Sequence, residues 1–167
     1  MNLDKYISIV EEQESILCFP HFNRKDAWEL GQLMVSRLLQ ENLVLSVSIR
    51  LASGFVLFQY APEGTVANNE NWMTRKFNMV RDMGVSSLLS TLRFQKKKQT
   101  LESRGMDFRL YATSGGGFPI NVSGTGVIGA VLVSGQPHLK DHDFIVDSIS
   151  RFLNITGVPR IPLSAKI

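Results

Sequence analysis

A single cysteine, Cys18, rules out an internal disulfide. That excludes the disulfide-stapled folds of small secreted proteins and suits a reducing compartment. Cys18 stands in Ile16-Leu17-Cys18-Phe19, an apolar context that favours an inert core thiol over a nucleophile. No apolar run reaches the roughly 18 residues needed to cross a bilayer. The opening MNLDKYISIVEEQES is acidic and lacks the basic-then-apolar order of an export leader. These absences point to a cytoplasmic protein with no membrane partner.

Charge of one sign is also scarce, with a formal net charge of only +3. The dense basic cluster is Lys96, Lys97 and Lys98 with Arg93 and Arg104. A nucleic-acid surface interleaves aromatics along a longer basic stripe, and only Phe94 stands close. The cluster therefore reads as a solvated helix face, and a nucleic-acid partner is not expected. The motifs of nucleotide chemistry are missing too. Gly115-Gly116-Gly117 is followed by no Gly-Lys-Ser/Thr and does not match the dinucleotide fingerprint. There is no Ser-His-Asp nucleophile elbow and no HExxH pair. What remains is a chain of 167 residues, enough for one hydrophobic core and short for two, so residues 1–167 read as a single domain.

The chain is organised around residues 114–135, SGGGFPINVSGTGVIGAVLVSG, seven of which are glycine. Glycine is favoured where the backbone takes positive φ or another group approaches it closely. Val127 to Val133 is a short β-branched run bounded by turn residues, which predicts a buried central strand. Upstream, Leu3, Tyr6, Ile7 and Val10 fall at helical spacing, and residues 15–19 read as a short strand stopped at Pro20. Asn23 or Asp26 is placed to cap a helix that carries Trp28, Leu30, Leu33, Met34, Leu38 and Leu39 and ends near Asn42. Gly31 within it implies a close contact with the sheet. Residues 43–51 alternate as a half-buried strand, Ala52-Ser53-Gly54 turns, and residues 55–60 return as a hairpin. A third helix follows Asn68-Asn69-Glu70-Asn71, with Trp72, Phe77, Val80 and Met83 inward, and ends at Gly84. Ser86 or Ser87 caps a fourth. Residues 106–113 alternate as another strand. Residues 138–153 form a last helix, and the tail to Ile167 reads as extended or docked on a neighbour. The fold class expected is α+β, helices flanking a mostly antiparallel sheet.

Gly116-Gly117-Phe118-Pro119-Ile120, then Gly126-Val127-Ile128-Gly129-Ala130, then Val133-Ser134-Gly135 and Asp141, resemble the C-terminal signature of the GlcG/HbpS-like family, often labelled the haem-degrading domain. Trp72 to Gly84 followed by Val85-Ser86-Ser87 is similar to that family's lysine-bearing helix and the serine after it. The length and the Asp141-His142 pair look most like the family's short single-domain branch. The resemblance covers most of the chain from Trp28 to Leu153. It implies a profilin-like three-layer sandwich and a homo-oligomer, a dimer or larger ring. It also implies haem as a cofactor in some members, and service in glycolate or diol metabolism in others. The haem-ligand positions of the family have no clear match in this chain.

The residues themselves offer a pocket for a small anionic ligand. The Gly115, Gly116 and Gly117 run can form a backbone nest, or simply a sharp turn. Free N–H groups at the start of the last helix attract negative charge, and Asp141 is placed to satisfy some of them. If these converge with Lys76, they make a pocket for a carboxylate or haem propionate, with Phe118 in its wall and Asp141 and His142 at its edge. Trp72 and Lys76, one turn apart, can pair by a cation–π contact. His138 and His142 stand four apart, a spacing that can bind a metal but is also common in surface histidines; no metal is assigned. His21, between Pro20 and Phe22, sits in an apolar setting suited to haem or to a plain core, and the core is favoured. The function expected is binding of haem or a small organic acid. A non-catalytic oligomeric adaptor is the alternative, and an enzyme acting on a small carbonyl or hydroxy acid a third.

Overall fold

The structure, a computed structural model, describes residues 2–167. Among the described residues five α-helices and four strands follow in the order α1 (Leu3–Ile16), α2 (Arg24–Gln40), β1 (Ser46–Leu51), β2 (Val56–Tyr60), α3 (Ala67–Met83), α4 (Ser87–Lys96), β3 (Gly117–Val122), β4 (Gly126–Ser134) and α5 (His138–Phe152), with one short 3-10 turn, Glu102–Arg104, between α4 and β3. The helix starts are set by local side chains. Asn23 accepts hydrogen bonds from the Lys25 and Asp26 amides, while Asp26 accepts from the Asn23 amide, so both residues named from the sequence share one capping box. Ser86 accepts from the Leu89 amide and opens α4. Gly84, at φ 69°, closes α3 in the left-handed region.

The four strands form one antiparallel sheet ordered β2-β1-β4-β3. Alternation sends Val47 and Ile49 of β1, Phe118 and Ile120 of β3, and Val131 and Val133 of β4 toward α2 and α5, where they meet Leu30, Met34, Leu38, Ile145 and Ile149. The opposite face sends Ala130 and Leu132 toward Met73, Phe77 and Val80 of α3. The result is the α+β, three-layer arrangement expected, with a helix layer on each face of the sheet. Outside it, α1 packs on α4 and Leu139. Arg93 and Lys96 of the basic cluster pair with Glu11 and Asp4 of α1, at 2.8 and 2.5 Å.

Several expectations change. Strand β1 is buried on both faces, because α3 covers the side that carries Ser46, Ser48 and Arg50. Ser48 and Arg50 of that row are accommodated by bonding: Arg50 Nε donates to Ser48 Oγ, and its guanidinium reaches Glu70 at 2.6 Å and Thr74 at 3.0 Å. Residues 15–19 are not a strand. Helix α1 runs on to Ile16, the Leu17 amide donates to the Gln13 carbonyl, and Phe19 makes only an isolated bridge to Val122. Residues 106–113 are not a strand either. The Asp107 carboxylate accepts from the Arg109 amide and its carbonyl from Leu110 and Tyr111, folding the segment into a turn with Phe108 and Leu110 exposed. Trp28 and Leu39 lie on the outer side of α2. The tail packs on its own chain: Ile161 joins the α1–α4 cluster and Arg160 binds Asp143 and Asp147 of α5.

Gly31 makes the close approach its position implied. A Cβ there would lie 2.5 Å from the Phe58 ring on β2. Gly31→Ala is therefore expected to lower stability by roughly 1–3 kcal/mol through overpacking, despite alanine's better helix propensity. Urea denaturation reads the effect; an unchanged or higher midpoint would show that Phe58 yields freely.

Candidate functional site

Strand β4 ends at Ser134, where α3 from one layer and the start of α5 from the other approach the same end of the sheet. Lys76, midway along α3, points into this junction. Its ammonium donates to Asp141 Oδ2 and to the Val133 carbonyl, both at 2.9 Å. Asp141, in the first turn of α5, uses its other oxygen to accept from the Gln136 amide at 2.9 Å. Both side chains of the pair are almost wholly buried, 3% and 2% exposed. Burial lowers the Lys76 pKa and raises that of Asp141, while their mutual contact opposes both shifts.

The glycine run is shaped to this pair. Gly116 has φ 115°, and a Cβ there would lie 2.6 Å from Lys76 Nζ and 2.7 Å from the Val133 carbonyl. Its carbonyl accepts from the Val133 amide. The Gly117 amide donates to Ser87 Oγ at 3.0 Å, and the Gly115 amide to His138 Nδ1 at 3.4 Å. Gly115, Gly116 and Gly117 are thus buried against side chains of α3, α4 and α5.

Beside the pair opens a cavity of about 340 Å³, lined by Asn69 and Trp72 of α3, Ser114, Ser134 and Gln136 as well as Lys76 and Asp141. Of the residues singled out from sequence, Lys76 and Asp141 reach it. The three glycines lie behind it. Phe118 is fully buried in the core on the α5 side, with its ring centroid 5.8 Å from that of His142. Lys76 does not pair with Trp72; Arg75 lies over that ring instead, at 4.3 Å, because Lys76 turns inward. Asn69, Ser114, Ser134 and Gln136 were not singled out as ligand contacts. The only sequence signals were the polar run before Trp72 and the Ser134-Gly135 turn.

The histidines have separate surroundings. His21 is exposed and bonds Asp26 at 3.0 Å, so it is not a core residue; the capping carboxylate holds it at the surface. His138 accepts from Gly115, and burial, then the Lys76 charge, lowers its pKa. His142 is buried and hydrogen-bonds through Nε2 to Gln13 Oε1 at 2.8 Å. Gln13 in turn donates to the Pro159 carbonyl at 2.7 Å, so Nε2 of His142 carries the proton and Nδ1 is left without a partner. Burial, then the charges of Arg160 and His138, pushes its pKa down to about 3.

Helix layers on both faces of an antiparallel sheet, with a buried Lys–Asp pair beside a polar cavity at the strand ends, define an α+β sandwich with a small site at the sheet end. A family model described as haem degrading protein HbpS-like matches residues 22–150, and the chain belongs to that family. A UPF0303 protein of Serratia proteamaculans is 40% identical over 157 residues, 93% of this chain and 97% of the relative. Among solved structures, the Ybr137w protein superposes with a TM-score of 0.81 at 24% identity, over 89% of this chain and 87% of its own. A PduOC:heme complex superposes with a TM-score of 0.65 at 20% identity, over 83% and 99%. At these identities the structural likeness speaks to the fold.

Two outcomes follow. Lys76→Met leaves Asp141 buried without its cation and is expected to cost about 3–5 kcal/mol; pairing it with Asp141→Asn should recover more than half of that. Urea denaturation of the three proteins compares them, and equal loss in the single and paired variants would mean that the charges are not coupled. The second concerns pH. His142 stays neutral when folded but takes a proton near pH 6.5 when unfolded, so its contribution is complete above pH 6.5 and is lost as pH falls toward 3. His142→Gln removes this titration, and between pH 7 and 5 the wild type should lose about 2 kcal/mol more than the variant. Glu14 and Asp141, raised by burial, run in the opposite sense, and His138 in the same sense, but all three are common to both proteins. Parallel pH profiles would show that His142 protonates freely in the fold.

Proposed function

We propose that the cavity at the sheet end binds a small anionic ligand, a carboxylate above all, with its charged end beside Lys76. The observation that carries this reading is the convergence on one cavity of the Lys76 ammonium and the starts of two helices. The first turns of α3 supply Asn68, Asn69 and Trp72, and the lead into α5 supplies Gly135 and Gln136. Neither helix carries a side-chain cap on its first-turn amides. Helix starts concentrate unpaired N–H groups and the positive end of the helix dipole, which favour an anion. Asp141 offsets part of this field, so the ligand accepted is one that hydrogen-bonds as well as attracts: the Ser134 hydroxyl and the second N–H of the Asn69 and Gln136 amides supply donors around the charge, the first N–H of each being given to the Ser134 and Val44 carbonyls.

Haem is the group the family suggests, and the residues of this cavity do not fit it. A haem site needs a broad apolar slot and an axial ligand. This lining is mostly amide, hydroxyl and charge, and none of the chain's three histidines opens into it. His21 bonds Asp26, His138 bonds Gly115 and His142 bonds Gln13.

The two tryptophans allow a direct test. In Trp28→Phe, Trp72 in the cavity wall becomes the only indole. Titration with short-chain carboxylates is expected to change its emission saturably, and the change should vanish when Lys76→Met and Asp141→Asn are added. Flat emission with every carboxylate, together with a sharp Soret band at one haem per chain, would reverse the assignment in favour of haem.

A further inference from the structure

Strands β1 and β4 end side by side under the first turns of α3, and each ends in a serine. Ser46 and Ser134 are direct partners in the antiparallel register. Both are more than nine-tenths buried, at 2% and 5% exposure. Further along β1 the same face is fully satisfied, since Ser48 donates to Gln59 and accepts from Arg50. The two end serines differ: among the described residues, neither hydroxyl has a hydrogen-bond partner. Neither oxygen is sealed from solvent as the unpaired Ser90 hydroxyl is, so each is free to bond water or a group that is not part of the chain.

Each hydroxyl lines a cavity. Ser134 faces the one beside Lys76, and Ser46 faces a second of about 350 Å³, bounded by Gln59, Glu63, Thr65, Glu70 and Met73. Val66, at the start of α3 and 67% exposed, borders both. The serine pair thus forms a common floor beneath the helix start. The two ends differ in charge. One has Lys76, held by Asp141. The other has Glu70, held by Arg50, Gln59 and Thr74, and Glu63, whose exposed carboxylate has no ion-pair partner among the described residues. Glu70 and Lys76 are six residues apart on α3, about 9 Å along its axis.

We propose that the two cavities are one site for an extended zwitterion. Its carboxylate lies beside Lys76, its chain crosses the Ser46–Ser134 floor, and its ammonium lies beside Glu63 and Glu70. An ω-amino acid or a short peptide with free ends has this chemistry. The inference rests on the anion-binding reading of the Lys76 cavity and adds the second half of the ligand.

Three six-carbon probes separate the two: 6-aminohexanoate, hexanoate and hexylamine, each titrated into Trp28→Phe with Trp72 emission as the readout. 6-Aminohexanoate is expected to bind about tenfold more tightly than hexanoate, through one added charge-assisted contact. Glu63→Gln, on an exposed loop, should remove that advantage and leave hexanoate affinity unchanged. The paired Ser46→Ala, Ser134→Ala variant should weaken 6-aminohexanoate without lowering the thermal midpoint, because the hydroxyls it removes bond no other group among the described residues. Equal affinity for 6-aminohexanoate and hexanoate overturns the zwitterion while the anion cavity stands. Failure of both carboxylates to bind overturns the two together. Hexylamine binding as tightly as 6-aminohexanoate overturns the placement of the carboxylate in both.

Discussion

An ammonium and a carboxylate held out of water can persist only when each supplies what the solvent no longer does. Lys76 and Asp141 meet that condition across three structural layers. Lys76 comes from the helix on one face of the sheet, Asp141 from the helix on the other, and the Val133 carbonyl from the strand between them. The desolvation of both charges is large, and only close geometry with further hydrogen bonds repays it. The Gln136 amide provides one such bond. Gly116 provides the space, since any side chain there would displace the ammonium. The glycine-rich stretch is in this sense the complement of a buried charge: backbone is brought close to a cation because nothing else fits.

The same junction explains why a cavity opens there. The sheet stops at Ser134, two helices begin, and helix starts present amides rather than apolar side chains. A hydrophobic core cannot extend into such a place, and the wall that results is polar. Membership of the HbpS-like family gives the architecture its setting. The chemistry argued for the site comes from this chain's own lining, which suits a compact charged group better than a macrocycle.

Local patterns carried much of the fold. The alternation of Leu45, Val47, Ile49 and Leu51, the turn after it and the apolar run from Val127 to Val133 are two-residue periodicities, and they appear as β1, the hairpin to β2, and β4. Asn23, Gly84 and Ser86 act at helix ends through contacts only a few residues long. Readings failed where a short pattern had two physical solutions. Ile16-Leu17 is as compatible with a last helical turn as with a strand, and the alternating residues 106–113 gave way to a side-chain turn at Asp107. The site was harder still. Lys76 and Asp141 were named on the condition that distant segments converge, and they do meet. Yet Ser134, Ser114 and Asn69 owe their place in the wall to contacts that no local spacing encodes. Gln13, which accepts a hydrogen bond from His142 129 positions away, stands beside Glu11, Glu12 and Glu14, and no local spacing marks it.

That last contact bears on where the molecule can be cut. The segment shared with the family stops short of both α1 and the final residues, but Gln13 and Pro159 sit over the imidazole as a two-piece cover. Trimming the chain to the shared segment would admit water to an aromatic base kept dry by its own flanks. The smallest piece that keeps this interior intact is therefore longer than the segment that the family model matches.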